Sequence, residues 1–264
     1  MKIYILTYKR DEVLTLKYIP ERWLKDTIVV VQERDKTRLG HLPCSRLVLP
    51  DRVRDIGATR QYILDYASRN GQDKIMQLDD DLTIGVLKEP DKYNLRDALH
   101  MDMVHILRRM DGLLDFYPHV GACARNEAHL NYDSPTGVRE CTRAIRYHGF
   151  NVPWMMKLGI NINRVPTIED YDFILQILEK GVANAIDCQV FVGDKGSNLP
   201  GGCADIRAES EDGKWARLLQ KHHPDYVKLV TKETKMPGGK LWTRTDVRVS
   251  WKKAYQFGCG EDLV

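Results

Sequence analysis

KIMQLDDDL, residues 74–82, decides the fold class. A short apolar run ends in three consecutive carboxylates, and Asn70-Gly71 closes the preceding helical pattern by supplying residues that tolerate the left-handed conformation. Working back from this run, the chain alternates strand-like and helical stretches. IYILTY comes first, then a helical pattern over residues 12–25, TIVVVQ, SRLVLP, and a second helix over residues 56–69. Strands alternating with helices imply an α/β fold whose central sheet is mostly parallel and flanked by helices.

If residues 79–81 continue the extended chain, Asp79 and Asp81 project together while Asp80 points the other way. Open α/β sheets bind ligands beyond the carboxyl ends of their strands, and two carboxylates packed there repel unless a cation lies between them. Magnesium or manganese fits, since carboxylates, phosphate oxygens and water complete its shell. The same layout suits a nucleotidyltransferase or a nuclease, and three solvated acids on a surface turn remain the plain alternative.

Other strand ends open onto the same crevice: Thr7, Tyr8, Lys9 and Arg10 after the first strand, and Gln32 and Glu33 after the second. These are candidates to hold a base and ribose. In RDIGATRQ, Gly57 and Ala58 permit close approach at a helix start, while Arg54 and Arg60 are candidates to neutralise phosphate or to reach the ribose.

Downstream, residues 95–116 carry apolar positions at helical spacing, VGACA reads as a strand, and residues 126–137 form a polar loop. In TIEDYDFILQILEKG, residues 167–181, the apolar stripe Ile174, Ile177 and Leu178 leaves Glu169, Asp170 and Asp172 clustered at the helix start. One reading is capping, with Thr167 and Asp170 at capping-box spacing. The other makes one of these acids a general base for an acceptor hydroxyl. A fourth helix covers residues 209–222, and His222 and His223 after it are candidate metal ligands or simply polar surface.

Composition narrows the classes. With 264 residues, 43% hydrophobic and 29% charged, the chain supports one large domain and is neither collagenous, coiled-coil nor disordered. Its longest apolar runs, such as IVVV at residues 28–31, fall far short of the roughly 20 residues that span a bilayer. The N-terminus lacks the apolar centre of a secretory signal, and the six cysteines show no C-x-x-C spacing, so reduced thiols and a cytoplasmic location are expected. Residues 1–225 are expected to form the catalytic unit, with a nucleotide-binding half over 1–90 and an acceptor half over 91–225. Residues 226–264 would pack on it as a basic segment. Within that segment Lys228, Lys232, Lys235, Lys240, Arg244, Arg248, Lys252 and Lys253 face only Glu233 and Asp246, and Trp242 and Trp251 are interleaved. Such a surface suits phosphate contacts and base stacking, or a charged strand edge with both tryptophans in the core.

The series IGATRQYIL, KIMQLDDDL, CARNEAHLNYD, CTRAIRYHGF, NRVPTIEDYDFILQILEKG, HPDYVKLVTK and VRVSWKKA resembles the TET-associated glycosyltransferases of bacteriophages, a GT-A-fold group similar to glycosyltransferase family 2. The resemblance covers most of the chain, and the EDYDF to HPDYV to SWKKA succession is its more specific part. It implies a UDP-sugar donor, Mn2+ or Mg2+, and as acceptor a hydroxymethylated pyrimidine, chiefly 5-hydroxymethylcytosine, in phage DNA inside the infected host. By position it makes Asp81 and one of His222 and His223 metal ligands, turns Asp79 to the nucleotide, and makes Asp170 the candidate base with Asp172 as competitor. A GT-A transferase acting on a polysaccharide, lipid or protein is the alternative, and a non-catalytic nucleic-acid-binding module is the third reading.

Overall fold

The computed structural model describes residues 1–37, 39–89, 92–127, 137–193, 213–235 and 241–260, with backbone alone at 92, 93, 234, 235, 241 and 242. Its N-terminal half follows the sequence pattern. Strands β1 (Lys2–Leu6), β2 (Thr27–Gln32), β3 (Ser45–Leu49) and β4 (Lys74–Asp79) pair in parallel in the order β3-β2-β1-β4. Helix α1 (Ile56–Arg69) precedes β4 and ends where Gly71 takes φ 64°.

Beyond β4 come β5 (Thr83–Glu89), β6 (Lys92–Asp97), α2 (His100–Leu113), β7 (His119–Ala124), β8 (Val138–Glu140), β9 (Tyr147–Asn151) and α3 (Val152–Lys157). Then α4 (Glu169–Leu178), β10 (Ala185–Gly193), α5 (Lys214–His222), the hairpin β11 (Val227–Lys235) and β12 (Leu241–Val249), and α6 (Trp251–Gly258) complete the fold. The central sheet continues from β4 as β9-β7-β10-β5-β6, with β8 pairing β10. Strands β1, β2, β3, β4, β6, β7 and β10 run one way, and β5, β8 and β9 the other. This is the mostly parallel, helix-flanked sheet expected.

Alternation along each strand splits the core in two. Tyr4, Leu6, Val30, Ile75 and Phe150 join Ile63 and Leu64 of α1 and Phe173 and Ile177 of α4 on one face. Ile3, Ile5, Val29, Val31, Met76 and Leu78 join Met103, Ile106, Leu107 and Met110 of α2 on the other. Each fully buried aliphatic or aromatic side chain contributes roughly 1.5–3 kcal/mol, so these two layers fix the strand order.

Several local expectations change. The helix expected over residues 12–25 is two short 3-10 turns, Leu14–Tyr18 and Glu21–Asp26, because Pro20 lacks the N–H that a continuous helix would need. The helix expected from residue 95 starts at His100, and β6 takes the residues before it. Residues 128–136, part of the expected loop, and 209–212, the expected start of the fourth helix, lie outside the described residues. In the basic segment β12 stops at Val249 and Trp251 opens α6. No described helix is long and apolar enough to cross a membrane.

Candidate active site

Strand β4 ends at Asp79, and the chain turns at Asp80 and Asp81, so alternation stops before the last two acids. Asp79 and Asp81 lean on different arginines, Asp79 on Arg60 and Asp81 on Arg10. Arg10 carries Asp80 and Asp81: its Nη2 donates to Asp81 Oδ2 at 3.0 Å, and its Nε lies 3.8 Å from Asp80 Oδ1. The Asp80 carboxyl is buried, and this desolvation pushes its pKa up to about 7; Asp81 and Asp79 add to the rise, while Thr7 and Arg10 oppose it. Thr15 anchors the turn, its hydroxyl donating to the Asp79 carbonyl at 2.7 Å and accepting the Leu82 N–H at 2.9 Å.

Arg60 is buried, donating through Nη2 to Asp79 at 2.8 Å and through Nε to Glu169 at 3.0 Å. It thus ties the end of β4 to the start of α4. The carboxylate of Asp55 accepts the Ala58 N–H at 2.7 Å and caps α1, which leaves that helix start with its own anion. A Cβ on Gly57 would stand 3.0 Å from the Ile162 carbonyl oxygen and 3.2 Å from that of Val165, so this glycine serves close chain packing. Arg54 is exposed and donates to the Asp51 carbonyl.

On the β1 side, Tyr8 lies between cations, with Arg34 5.0 Å and Lys9 5.3 Å from its ring centre. Lys9 takes φ 53° and its N–H points at Asp35. Glu33 is exposed and ion-paired to Lys36. The buried acid beside β2 is Asp35. Nearness to the strand end favours Glu33 in the sequence, and nothing local marks Asp35 as the inward residue.

The acids of α4 are all buried, and each meets a different arginine. Burial pushes Glu169 up to about 7 against the pull of Arg60. Arg143 Nε donates to Asp170 at 3.2 Å, and its guanidinium sits 4.2 Å over the Tyr171 ring. Asp172 turns away from both. It accepts from Arg164 at 3.0 and 2.6 Å and from Gln176 at 2.6 Å, and it meets His223 Nε2 at 2.9 Å. The N-cap of α4 is Ile168 without a side-chain cap, so Thr167 and Asp170 form no capping box.

His223 is buried with Nδ1 2.6 Å from Glu179 and Nε2 on Asp172. Both ring nitrogens thus meet carboxylates, so His223 ties α5 to the start and end of α4. His222 is exposed at the end of α5. Among the described residues no three His, Cys, Asp or Glu side chains converge as a chelating set.

The His223–Asp172 pair gives a pH prediction. Burial disfavours the imidazolium, but hydrogen bonds to Asp172 and Glu179 outweigh it and hold His223 above its ordinary 6.5. Burial likewise opposes the Asp172 carboxylate, yet His223 and Arg164 hold it below 3.8. The histidine's contribution is complete below 6.5 and fades as pH climbs through its raised value; the aspartate's is complete above 3.8 and fades as pH falls through its lowered one. His223→Ala is therefore expected to cost about 1–3 kcal/mol near pH 6 and clearly less in alkaline buffer. Urea unfolding at both pH values checks this, and an equal deficit at each would leave only packing as the cause.

The chain matches the TET-Associated Glycosyltransferase family over residues 1–197. It belongs to that family. That membership places the chain among glycosyltransferases. Solved structures similar to this one include a putative nucleotide-diphospho-sugar transferase from Desulfovibrio desulfuricans G20, at 11% identity and TM-score 0.39 over 84% of this chain and 99% of that one. Another is GalNAc-T7 with UDP, GalNAc and Mn2+, at 10% identity and TM-score 0.46 over 92% of this chain and 66% of that one. A mannose-1-phosphate geranyltransferase from Thermus thermophilus is similar over 47% of this chain at 12% identity and TM-score 0.32, and the match spans only 41% of its length. No curated protein matches significantly.

Proposed function

We propose that this glycosyltransferase moves a sugar from a UDP-sugar to the hydroxyl of a hydroxymethylated pyrimidine in DNA, with 5-hydroxymethylcytosine as the preferred base. The observation that carries the donor half is the turn at the end of β4, where Asp80 and Asp81 sit against Arg10 and Thr7 at the end of β1. Family membership supports the sugar-transfer chemistry, and the basic C-terminal segment supports a polyanionic acceptor.

The donor set fits Mg2+ or Mn2+. Burial is the main cause that raises the Asp80 carboxyl to about 7, and the charges of Asp81 and Asp79 add to it, so a divalent charge there would favour its ionised form. Asp81 and Asp80 would hold the ion, and the donor's phosphates and water supply its remaining oxygens. When bound, the ion stabilises the negative charge that gathers on the departing diphosphate. Tyr8, Lys9 and Asp35 line the neighbouring strand ends and suit the nucleoside. Asp170 takes the proton of the acceptor hydroxyl as its oxygen bonds to the anomeric carbon and the bond from that carbon to UDP breaks. Asp79 and Glu169, held together by Arg60, keep the donor and acceptor sides in register.

The deciding experiment incubates the protein with a panel of UDP-sugars and manganese against hydroxymethylated or plain DNA, followed by digestion and mass spectrometry of the nucleosides. A hexose increment on the hydroxymethylated base is expected. Transfer to an added polysaccharide, lipid or protein with none to DNA would replace this reading with the alternative acceptor class. Asp81→Asn is expected to remove metal-stimulated UDP binding, measured by calorimetry with and without manganese, while the melting temperature stays near wild type. Equal stimulation in both proteins would take Asp81 out of the ion's shell.

A further inference from the structure

A cavity of about 500 Å³ opens between the segment following β8 and the start of α6, walled by Arg139, Thr142, Ser250, Trp251, Lys252 and Lys253. A second cavity of about 200 Å³ shares Arg139 and Thr142 and adds Arg143, the ion-pair partner of Asp170. Together they mark a cleft from exposed lysines towards the acceptor-side acid. Its charge is one-sided. Arg139, Lys252 and Lys253 face one acid, Glu140, which already receives the Tyr117 hydroxyl. Trp251 forms a half-buried wall, tilted on Tyr171 with ring centres 5.5 Å apart, and Arg143 lies over the same tyrosine.

The wall is held rigidly. Cys141 takes φ 52°, a left-handed conformation that costs a residue with a Cβ about 1–3 kcal/mol and persists only where its surroundings hold it. Buried Asn184 enforces it: its carbonyl accepts the Cys141 N–H at 3.2 Å, its side-chain oxygen accepts the Thr142 N–H at 3.3 Å, and its amide donates back to the Thr142 carbonyl at 2.8 Å. A pre-shaped wall lowers the entropy lost when a ligand settles on it.

The hairpin leading into α6 carries the same sign. Register places Lys228 opposite Arg248 and Lys232 opposite Arg244, with Asp246 the acid that Lys232 and Arg244 share. Like charges directly across a ladder are destabilising, and a polyanion laid along that face removes the penalty. Hairpin and α6 both follow the matched family span.

We propose that this cleft and the basic face of the hairpin seat the phosphodiester backbone of a nucleic-acid acceptor, with Arg139, Lys252 and Lys253 on phosphates and Trp251 against a base, so that the strand runs towards Asp170. Alternating phosphates and flat bases match a cationic groove with an aromatic wall. The proposal rests on the reading of DNA as acceptor.

The test is fluorescence anisotropy with a labelled hydroxymethylated duplex at several salt concentrations, on wild type, Lys252→Glu/Lys253→Glu and Arg139→Gln. Arg69→Glu/Lys157→Glu, on exposed helix residues elsewhere, serves as a charge-matched control. The double cleft variant is expected to bind about tenfold more weakly with a salt slope lower by about 2, Arg139→Gln to fall in the same direction, and the control to match wild type. Thermal melts establish that each variant is folded. Equal weakening in the control, or none in either cleft variant, overturns the cleft while transfer to DNA by wild type keeps the acceptor reading. Wild type that binds the duplex through the cleft but never glycosylates it sinks the acceptor reading alone. Tighter binding of an acidic polysaccharide than of DNA overturns the nucleic-acid assignment.

Discussion

Arg60→Met is expected to lower the unfolding free energy by about 3–5 kcal/mol at neutral pH, the usual cost of removing one partner from a buried ion pair. Arg60 is almost fully buried, at 2% side-chain exposure, against 6% for Glu169 and 27% for Asp79. Without the guanidinium, Glu169 is left in a cavity that already raises its carboxyl to about 7. Its folded pKa then rises further, so the variant loses stability as pH climbs above the ordinary glutamate value of 4.5 and regains part of it on acidification. Urea unfolding across that range measures the deficit. Glu169→Gln in the same background should restore a substantial part of the loss at pH 7, because it removes the stranded charge. A deficit that neither acidification nor Glu169→Gln relieves would mean that Arg60 acts by volume alone. Transfer activity should fall with the first variant even below its melting temperature, since Asp79 and Glu169 lose their common tether.

Arg60 also shows what a sequence can and cannot tell. Period and turn residues place β1, β2, β3, α1 and β4, because each is an apolar run whose pattern is local. Strand β6 escapes that logic: Arg96 and Asp97 on the last strand of the sheet are the charges expected of a guarded edge and read as loop or helix start. At the site, the acids were visible and their partners were not. The stripe of Ile174, Ile177 and Leu178 suggests a helix with one wet face, yet α4 is buried on nearly all sides, Glu169, Asp170 and Asp172 included. What permits this is a separate arginine for each acid, and two of the three, Arg60 and Arg143, arrive from distant segments. Gly57 is a similar case, since its close neighbours are the carbonyls of Ile162 and Val165, which no local spacing connects to it.

Asp170→Asn is expected to lower kcat by about 10² to 10⁴, the range for a general base, with donor affinity and melting temperature close to wild type. The geometry separates it from its neighbours. Glu169 is occupied by Arg60, and Asp172 by Arg164, Gln176 and His223. Asp170 pairs with Arg143, an exposed residue that also lines the cavity on the acceptor side. A base must meet the substrate hydroxyl, so the acid whose partner faces the cleft is the one placed to do so. Asp172→Asn should instead act on stability, leaving the Arg164–His223 network with excess positive charge and lowering the melting temperature more than kcat at a permissive temperature. Single-turnover transfer, thermal melts and UDP calorimetry on the two asparagine variants separate the roles. If Asp172→Asn shows the larger loss of kcat while folded, the base is Asp172 and the network around it is catalytic; if Asp170→Asn loses only melting temperature, its carboxylate serves the Arg143 pair and nothing more.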